Sequence, residues 1–300
     1  MQNVTLSGIP AKNRRERGDD NLSAFIPLFI AILVGTILYI TIGWWGFLVI
    51  FPWIGTSISL GMYLQRNLRT ERKNVGRRVS ILLILPVFLF FLPITDKQNL
   101  QLEGIVFLLL VGSYSGGVIH YIIAKVIGPL IWGRGFCGWA CWTAAILDWL
   151  PVYKTDKIPD AMRKFRFIPL VISIMVPLIM VFLFSYDVNR DYLDKREIIW
   201  MMVGNIVYYL IGIPLAFLLK DRRAFCKVAC PVSIIMKVPS SVSLVCIKPT
   251  NNKCIRCGRC NKSCPMDVDV MGYISQGKKV RDTECILCFE CTQVCPIKAI

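Results

Sequence analysis

The sequence predicts an all-α transmembrane bundle of about six helices followed by a small α+β domain. Three observations lead there. Hydrophobic residues make up 55% of the 300 residues and mean hydropathy is +0.56, more than a soluble domain of this length can bury. The surplus is gathered into blocks near the ~20 residues that a helix needs to cross a hydrocarbon core. The end of the chain is instead polar, basic and rich in cysteine. The expected divisions are an N-terminal segment (1–20), a transmembrane domain (21–240) and a C-terminal domain (241–300).

The first two apolar blocks run together. Residues 21–65 carry no charge, too long a stretch for one crossing. Gly43-Trp44-Trp45-Gly46 divides it, because glycine permits a tight turn and tryptophan favours the headgroup layer. The expected spans are then 23–43, 47–64, 79–95, 105–124, 167–186 and 198–219. Pro27, Pro52, Pro86, Pro93, Pro169, Pro177 and Pro214 fall inside them, as membrane helices tolerate.

A net charge of +16 invites a nucleic-acid reading, which its distribution argues against. Basic residues fill alternate loops: Arg14, Arg15 and Arg17; Arg66, Arg69, Arg72, Lys73, Arg77 and Arg78; Lys154, Lys157, Arg163, Lys164 and Arg166; Lys220, Arg222, Arg223 and Lys227. The intervening loops carry little net positive charge. The positive-inside rule therefore expects a multi-pass protein of the cytoplasmic membrane with both termini in the cytoplasm. Topology and contact with anionic lipid account for the charge, and no nucleic-acid partner is expected. The first apolar block is too long for a cleavable leader and continues into the second.

On that topology all thirteen cysteines face the cytoplasm. A reducing compartment points them to metal or redox sites rather than disulfides. Eight form two runs, Cys254-x2-Cys257-x2-Cys260-x3-Cys264-Pro265 and Cys285-x2-Cys288-x2-Cys291-x3-Cys295-Pro296. This is bacterial four-iron ferredoxin spacing, in which the fourth cysteine of each run serves the other cluster. One [4Fe–4S] cluster is thus expected on Cys254, Cys257, Cys260 and Cys295, the other on Cys285, Cys288, Cys291 and Cys264. Zinc also uses paired C-x2-C, but needs no third cysteine and no closing Cys-Pro, twice over. Residues 270–281 read as a β-hairpin around Ser275-Gln276-Gly277. Ile255, Ile286, Val294 and Ile297 read as shielding for the clusters.

A second repeat lies upstream. Residues 134–141, RGFCGWAC, align with 223–230, RAFCKVAC, each following a span that ends in the cytoplasm. Two related halves would bring Cys137, Cys141, Cys226 and Cys230 to one level. Three roles fit them: a third metal centre, a pair of redox-active dithiols, or packing. Pro231 can open a helix beside Cys230, and Arg134 and Arg223 add positive charge, conditions that favour thiolates.

With the two-run tail, FCGWAC and FCKVACP resemble the paired motifs of membrane-bound polyferredoxins of the NapH/NosR type, over about residues 105–300. The resemblance implies quinol-side electron transfer, and assembly proteins of cytochrome oxidase are related to that family. Its pattern is Cys-x3-Cys-Pro. Pro231 honours it, whereas Trp142 stands at the first site. The two leading spans look like an addition to a four-span core. No flavin-attachment segment or soluble N-terminal domain of the larger members is found.

His120, the single histidine, lies in the fourth span after the small-residue run 112–117. One histidine cannot hold a haem between two histidines. It suits either a hydrogen bond to a quinone carbonyl or ordinary packing. Trp132, Trp139, Trp142 and Trp149 read as interfacial anchors, with a short surface helix over 143–150, and Cys246 as an ordinary buried cysteine. Phosphate loops, nucleophile triads and paired carboxylates are not recognisable, so no catalytic residue is assigned.

The sequence therefore reads as a membrane-anchored electron-transfer protein linking the quinone pool, or a membrane partner, to a redox enzyme. The alternative is an assembly or maturation factor that reduces a metal or thiol for another enzyme. A redox-sensing regulator would need an output domain, and none is recognisable.

Overall fold

The computed structural model describes residues 22–68, 73–96, 99–110, 112, 116–185 and 196–300. The arginines at 14, 15, 17, 69 and 72 and the loop 187–195 lie outside the described residues. Three helices open the chain: α1 (Ile26–Ile42), α2 (Phe47–Asn67) and α3 (Lys73–Pro86). Gly43, at φ 81°, ends α1 where Gly-Trp-Trp-Gly was expected to turn. Among the described residues five helical stretches are long and apolar enough to cross a membrane: Ser23–Ile42, Phe47–Asn67, Lys73–Thr95, Asp160–Phe184 and Ile198–Leu218. The third begins six residues before the expected 79. It can, because Arg77 is buried in ion pairs to Asp148 (2.8 Å) and Glu290 (3.2 Å).

The fourth expected span is not one helix. α4 (Leu102–Leu110) stops, Gly112 adopts φ 73°, and α5 (Gly116–Ile122) starts again, running on to Trp132. A left-handed glycine cannot continue a right-handed helix, and the small polar run around it has weak helix propensity. Hydropathy had counted the composition and missed the break.

Two π-helical turns interrupt the bundle, Val87–Phe91 in the continuation of α3 and Ile123–Ile127 in that of α5. Leu92 N–H bonds Val87 O and Gly128 N–H bonds Ile123 O. The next residue is proline in both cases, Pro93 and Pro129. A proline ring repels the carbonyl four residues back and offers no N–H, so a widened turn ahead of it relieves the clash.

After α5 come α6 (Gly135–Trp139), α7 (Trp142–Leu147), α8 (Phe167–Phe184), α9 (Arg196–Leu218), α10 (Ala224–Val228) and α11 (Val232–Ser240). The helix over 143–150 was expected at the surface. α7 is instead buried through Trp142, Thr143, Ala144, Ala145 and Leu147.

The C-terminal segment is helical too: α12 (Arg259–Ser263), α13 (Val270–Ser275) and α14 (Glu290–Val294). The expected β-hairpin at 270–281 is α13 and a turn, because Asp269 caps the helix by accepting from Gly272 N–H (3.0 Å). Among the described residues the only β pairing is an isolated bridge between Ile247 and Val280, so the β part of the expected α+β domain is absent from them.

Candidate functional site

The two ferredoxin runs fold alike. Left-handed backbone occurs at matching places, Arg256 and Leu287, Gly258 and Phe289, Asp267 and Lys298, with φ between 50° and 71°. Five of the six are not glycine, and each such residue costs about 1–3 kcal/mol. What the strain achieves is amide direction. Arg256 N–H points at Cys254 Sγ (3.4 Å) and Ala299 N–H at Cys295 Sγ (3.3 Å). Amides of Met266 and Val268 serve Cys264, Leu287 serves Cys285 and Glu290 serves Cys288. Such nests of N–H groups suit an anionic iron–sulfur group.

Each set of sulfurs surrounds a gap. Cys264, Cys285, Cys288 and Cys291 line a space of about 360 Å³ closed by Ile247, Met266, Val268, Val270, Val280 and Ile286. Cys254, Cys257, Cys260 and Cys295 line one of about 340 Å³ with Met271, Ile274 and Ile297. Among the described residues no three His, Cys, Asp or Glu side chains stand close enough to hold a single metal ion. Zinc, at about 2.3 Å from each sulfur, would need them drawn together; a larger cubane fits ligands held apart. The residues present therefore fit four-iron clusters.

Of the residues expected to shield these gaps, Ile286 is buried, Val294 and Ile297 are half-buried, and Ile255 is 61% exposed. Ile255, though exposed, lines the outer gap as expected. Cys246 is half-buried.

The Cys-x3-Cys elements meet at one end of the bundle. Cys137, Cys226, Phe136, Ala140, Trp142 and Met236 share one buried cluster with Cys141 packed against it. Cys137 Sγ lies 3.6 Å from Met236 Sδ. The four thiols are near enough to influence one another electrostatically. Cys141 is the N-cap residue of α7, and Cys230 stands just before Pro231, the N-cap residue of α11. Trp142 therefore takes the first turn of its helix as a proline would.

Thiolates were expected here. Burial outweighs that, pushing Cys226 up to about 11 despite Arg223, and raising Cys141 and Cys230 as well.

Arg223 binds Asp148 through two nitrogens (2.7 and 2.5 Å), donates to Cys137 O (2.8 Å) and approaches Cys226 Sγ (4.0 Å). Although burial raises the Asp148 carboxyl, Arg223 and Arg77 pull it down to about 2. Bidentate pairing of this kind fixes geometry as well as charge.

The tail sits directly on these elements. Trp139 Nε1 donates to Leu287 O (2.9 Å) and Gln65 Nε2 to Cys288 O (3.1 Å). Glu284 is gripped by Arg134, Arg166 (2.8 Å) and Lys237 (2.5 Å). Asp267 is held by Lys227 (2.7 Å), Arg163 (3.1 Å) and Lys154, whose Nζ also donates to Cys264 O (2.6 Å). The gap lined by Cys264 and Cys285 thus belongs to the side of the tail that touches the Cys-x3-Cys elements, through Trp139 and Leu287 and through Gly138 and Ile286.

Of the four tryptophans, Trp132 and Trp149 are partly exposed, but Trp139 and Trp142 are buried. Those two were expected at an interface; they hold the core instead, Trp142 donating to Asn205 (3.0 Å). His120 packs against Phe88 at 5.0 Å, and its Nε2 has no hydrogen-bond partner among the described residues. Two neighbours escaped the sequence reading. Lys125, in the π turn, is buried with Nζ 2.9 Å above the Phe136 ring and is electrostatically coupled to Cys137, Cys141 and Cys230. Glu103 accepts from Ser173 Oγ (2.6 Å), while its other oxygen and the nearby Tyr121 hydroxyl lack hydrogen-bond partners among the described residues. A charge inside an apolar stretch was the available signal.

Comparison with known proteins finds iron–sulfur families over the segments that carry these cysteines. A family described as a 4Fe-4S dicluster domain matches residues 246–296, and one described as a 4Fe-4S binding domain matches 121–154 and 203–243, the parts that carry both Cys-x3-Cys elements. The uncharacterised proteins MJ0749 and MJ0750 of Methanocaldococcus jannaschii are each 24% identical, over 69% and 70% of this chain and 83% and 90% of theirs. YccM of Escherichia coli K12, named as an electron transport protein, is 25% identical over 60% of this chain and 54% of its own. No solved structure matches. Domains and relatives together support a membrane-type iron–sulfur protein of electron transfer.

Proposed function

We propose that this chain is anchored in the cytoplasmic membrane by six crossings, with both termini inside, and carries electrons between the quinone pool or a membrane partner and a redox enzyme. Two [4Fe–4S] clusters occupy the gaps, one on Cys264, Cys285, Cys288 and Cys291, the other on Cys254, Cys257, Cys260 and Cys295. The thiol quartet Cys137, Cys141, Cys226 and Cys230 is a third redox site, between the apolar bundle and the first of these clusters. When bound, the clusters supply one-electron steps; the protein sets their spacing and surrounding charge. The observation that carries the reading is that the tail holding the two cysteine-lined gaps docks on the elements that hold the quartet, with Trp139 bonded to Leu287 at the inner gap.

The unpartnered His120 Nε2, Tyr121 hydroxyl and Glu103 oxygen suit a quinone head group: donors to hold its oxygens and a carboxylate to take a proton. A maturation role through exchange with an outside thiol or metal is disfavoured by the burial of Cys137 and Cys226.

Anaerobic iron and sulfide analysis with electron paramagnetic resonance tests the proposal. About eight irons are expected from the two ferredoxin runs, and about twelve if the quartet also holds a four-iron cluster. Zinc without acid-labile sulfide would refute it. Reporter fusions after Ser185 and Ile300 should fall on opposite sides of the membrane.

A further inference from the structure

The outer end of this chain of sites is built differently from the inner. Cys257 is exposed and Ile255 beside it projects. Residues 246–266 contain no Asp or Glu but five basic residues, Lys248, Lys253, Arg256, Arg259 and Lys262. These five and Lys298 are exposed. Among the described residues none of their side chains enters an ion pair, and no hydrogen bond or ion pair joins 251–263 to the apolar bundle. The inner gap shows the opposite pattern: the tail offers carboxylates, Glu284 and Asp267, and the bundle answers with arginine and lysine.

We infer that the rim around Cys257 is the docking site of a soluble one-electron carrier protein whose own redox group is surrounded by acidic residues. The inference rests on the cluster reading above. The carrier's reduced group gives one electron to the oxidised outer cluster; the carrier is oxidised by one, the cluster reduced by one, and no bond or proton moves. Ile255 offers a small apolar centre and the lysines and arginines a polar rim. Such charge acts mostly on the association rate, raising it 10-fold to 1,000-fold at low salt, with little lasting affinity. Brief encounters at a surface-close cluster are what a carrier needs.

The test uses the full chain in phosphatidylcholine nanodiscs, reduced by an acidic plant-type two-iron ferredoxin in rapid mixing, with dithionite as the small reductant. The ferredoxin rate constant should fall at least about tenfold from low to high salt. The triple variant Lys253→Glu, Arg259→Glu, Lys262→Glu should slow it about tenfold at low salt, with iron content and extent of dithionite reduction unchanged. Salt-insensitive reduction at equal rates in both proteins would overturn the inference. So would an unchanged ferredoxin rate together with weaker tail binding to nanodiscs containing phosphatidylglycerol, which would make the rim a lipid-facing surface. If dithionite reduces no cluster, the cluster reading has failed rather than the docking. Salt dependence of the unmodified protein keeps the test valid should the variant lose iron.

Discussion

The two Cys-x3-Cys elements share a skeleton of Arg, small residue, Phe, Cys, Ala and Cys, yet they grip the tail by different means. In the first, Gly138 leaves room for the tail backbone: a Cβ there would stand 2.1 Å from Ile286 O. In the second, the matching residue is Lys227, which reaches Asp221 and Asp267 (2.5 and 2.7 Å). Arg134 of the first element turns outward to Glu284 of the tail, whereas Arg223 of the second turns inward to Asp148 and Cys137 O. The shared residues thus carry the four cysteines, while Gly138 against Lys227 and the opposite turns of Arg134 and Arg223 set what each half touches.

That contrast can be broken in several ways. Glu284→Gln should have the largest effect, because it leaves buried Arg134 and Arg166 short of charge, a loss of about 3–5 kcal/mol. Limited proteolysis should then release the tail. Gly138→Ala comes next, at about 1–3 kcal/mol of overpacking, read as slowed electron transfer to the inner cluster with iron retained. Lys227→Met should do less to docking, since Asp267 keeps Lys154 and Arg163. If it loosens the tail more than Glu284→Gln does, the asymmetry between the halves is wrong. Lys125→Met should leave docking intact and lower the midpoint potential of the quartet. Removing a nearby buried cation disfavours the reduced, more negative state by roughly 1–2 kcal/mol at an interior dielectric near 20. Trp142→Phe, losing the bond to Asn205 and part of the ring packed against Phe88, should cost about 1–3 kcal/mol in thermal stability.

Docking also has a pH signature. Burial raises the Glu284 carboxyl, but Arg134, Arg166 and Lys237 more than offset it and hold it well below the usual carboxylate range. A depressed carboxyl contributes its full stability above the unfolded value, about 4.3. That contribution fades as pH falls toward the lowered one. Protection of the tail from protease should be flat from pH 8 to about 5 and weaken only in stronger acid.

The ferredoxin runs were legible because ligand spacing is written directly in the chain. Their paired left-handed residues were not, since Arg256, Leu287, Phe289 and Lys298 are poor candidates for positive φ by type. The broken fourth span was misread because hydropathy sums composition and ignores a glycine that cannot stay helical. Drawing that span as 105–124 also placed Glu103 and Lys125 just outside it, which hid two ionisable side chains among the apolar helices. The hairpin over 270–281 failed because alternation is weak evidence against a good aspartate cap.

The π turn at Ile123–Ile127 has a consequence for tolerance to insertion and deletion. An α-helix advances about 100° per residue, and the widened turn holds roughly one residue more than a regular one. Deleting one residue there would restore an ordinary helix and relieve nothing at Pro129. It would also rotate everything before it, His120 and Tyr121 included, by about a quarter turn relative to the cysteines that follow. Length in this segment is therefore as constrained as identity, and relatives that keep the redox end should differ here by substitution rather than by gaps.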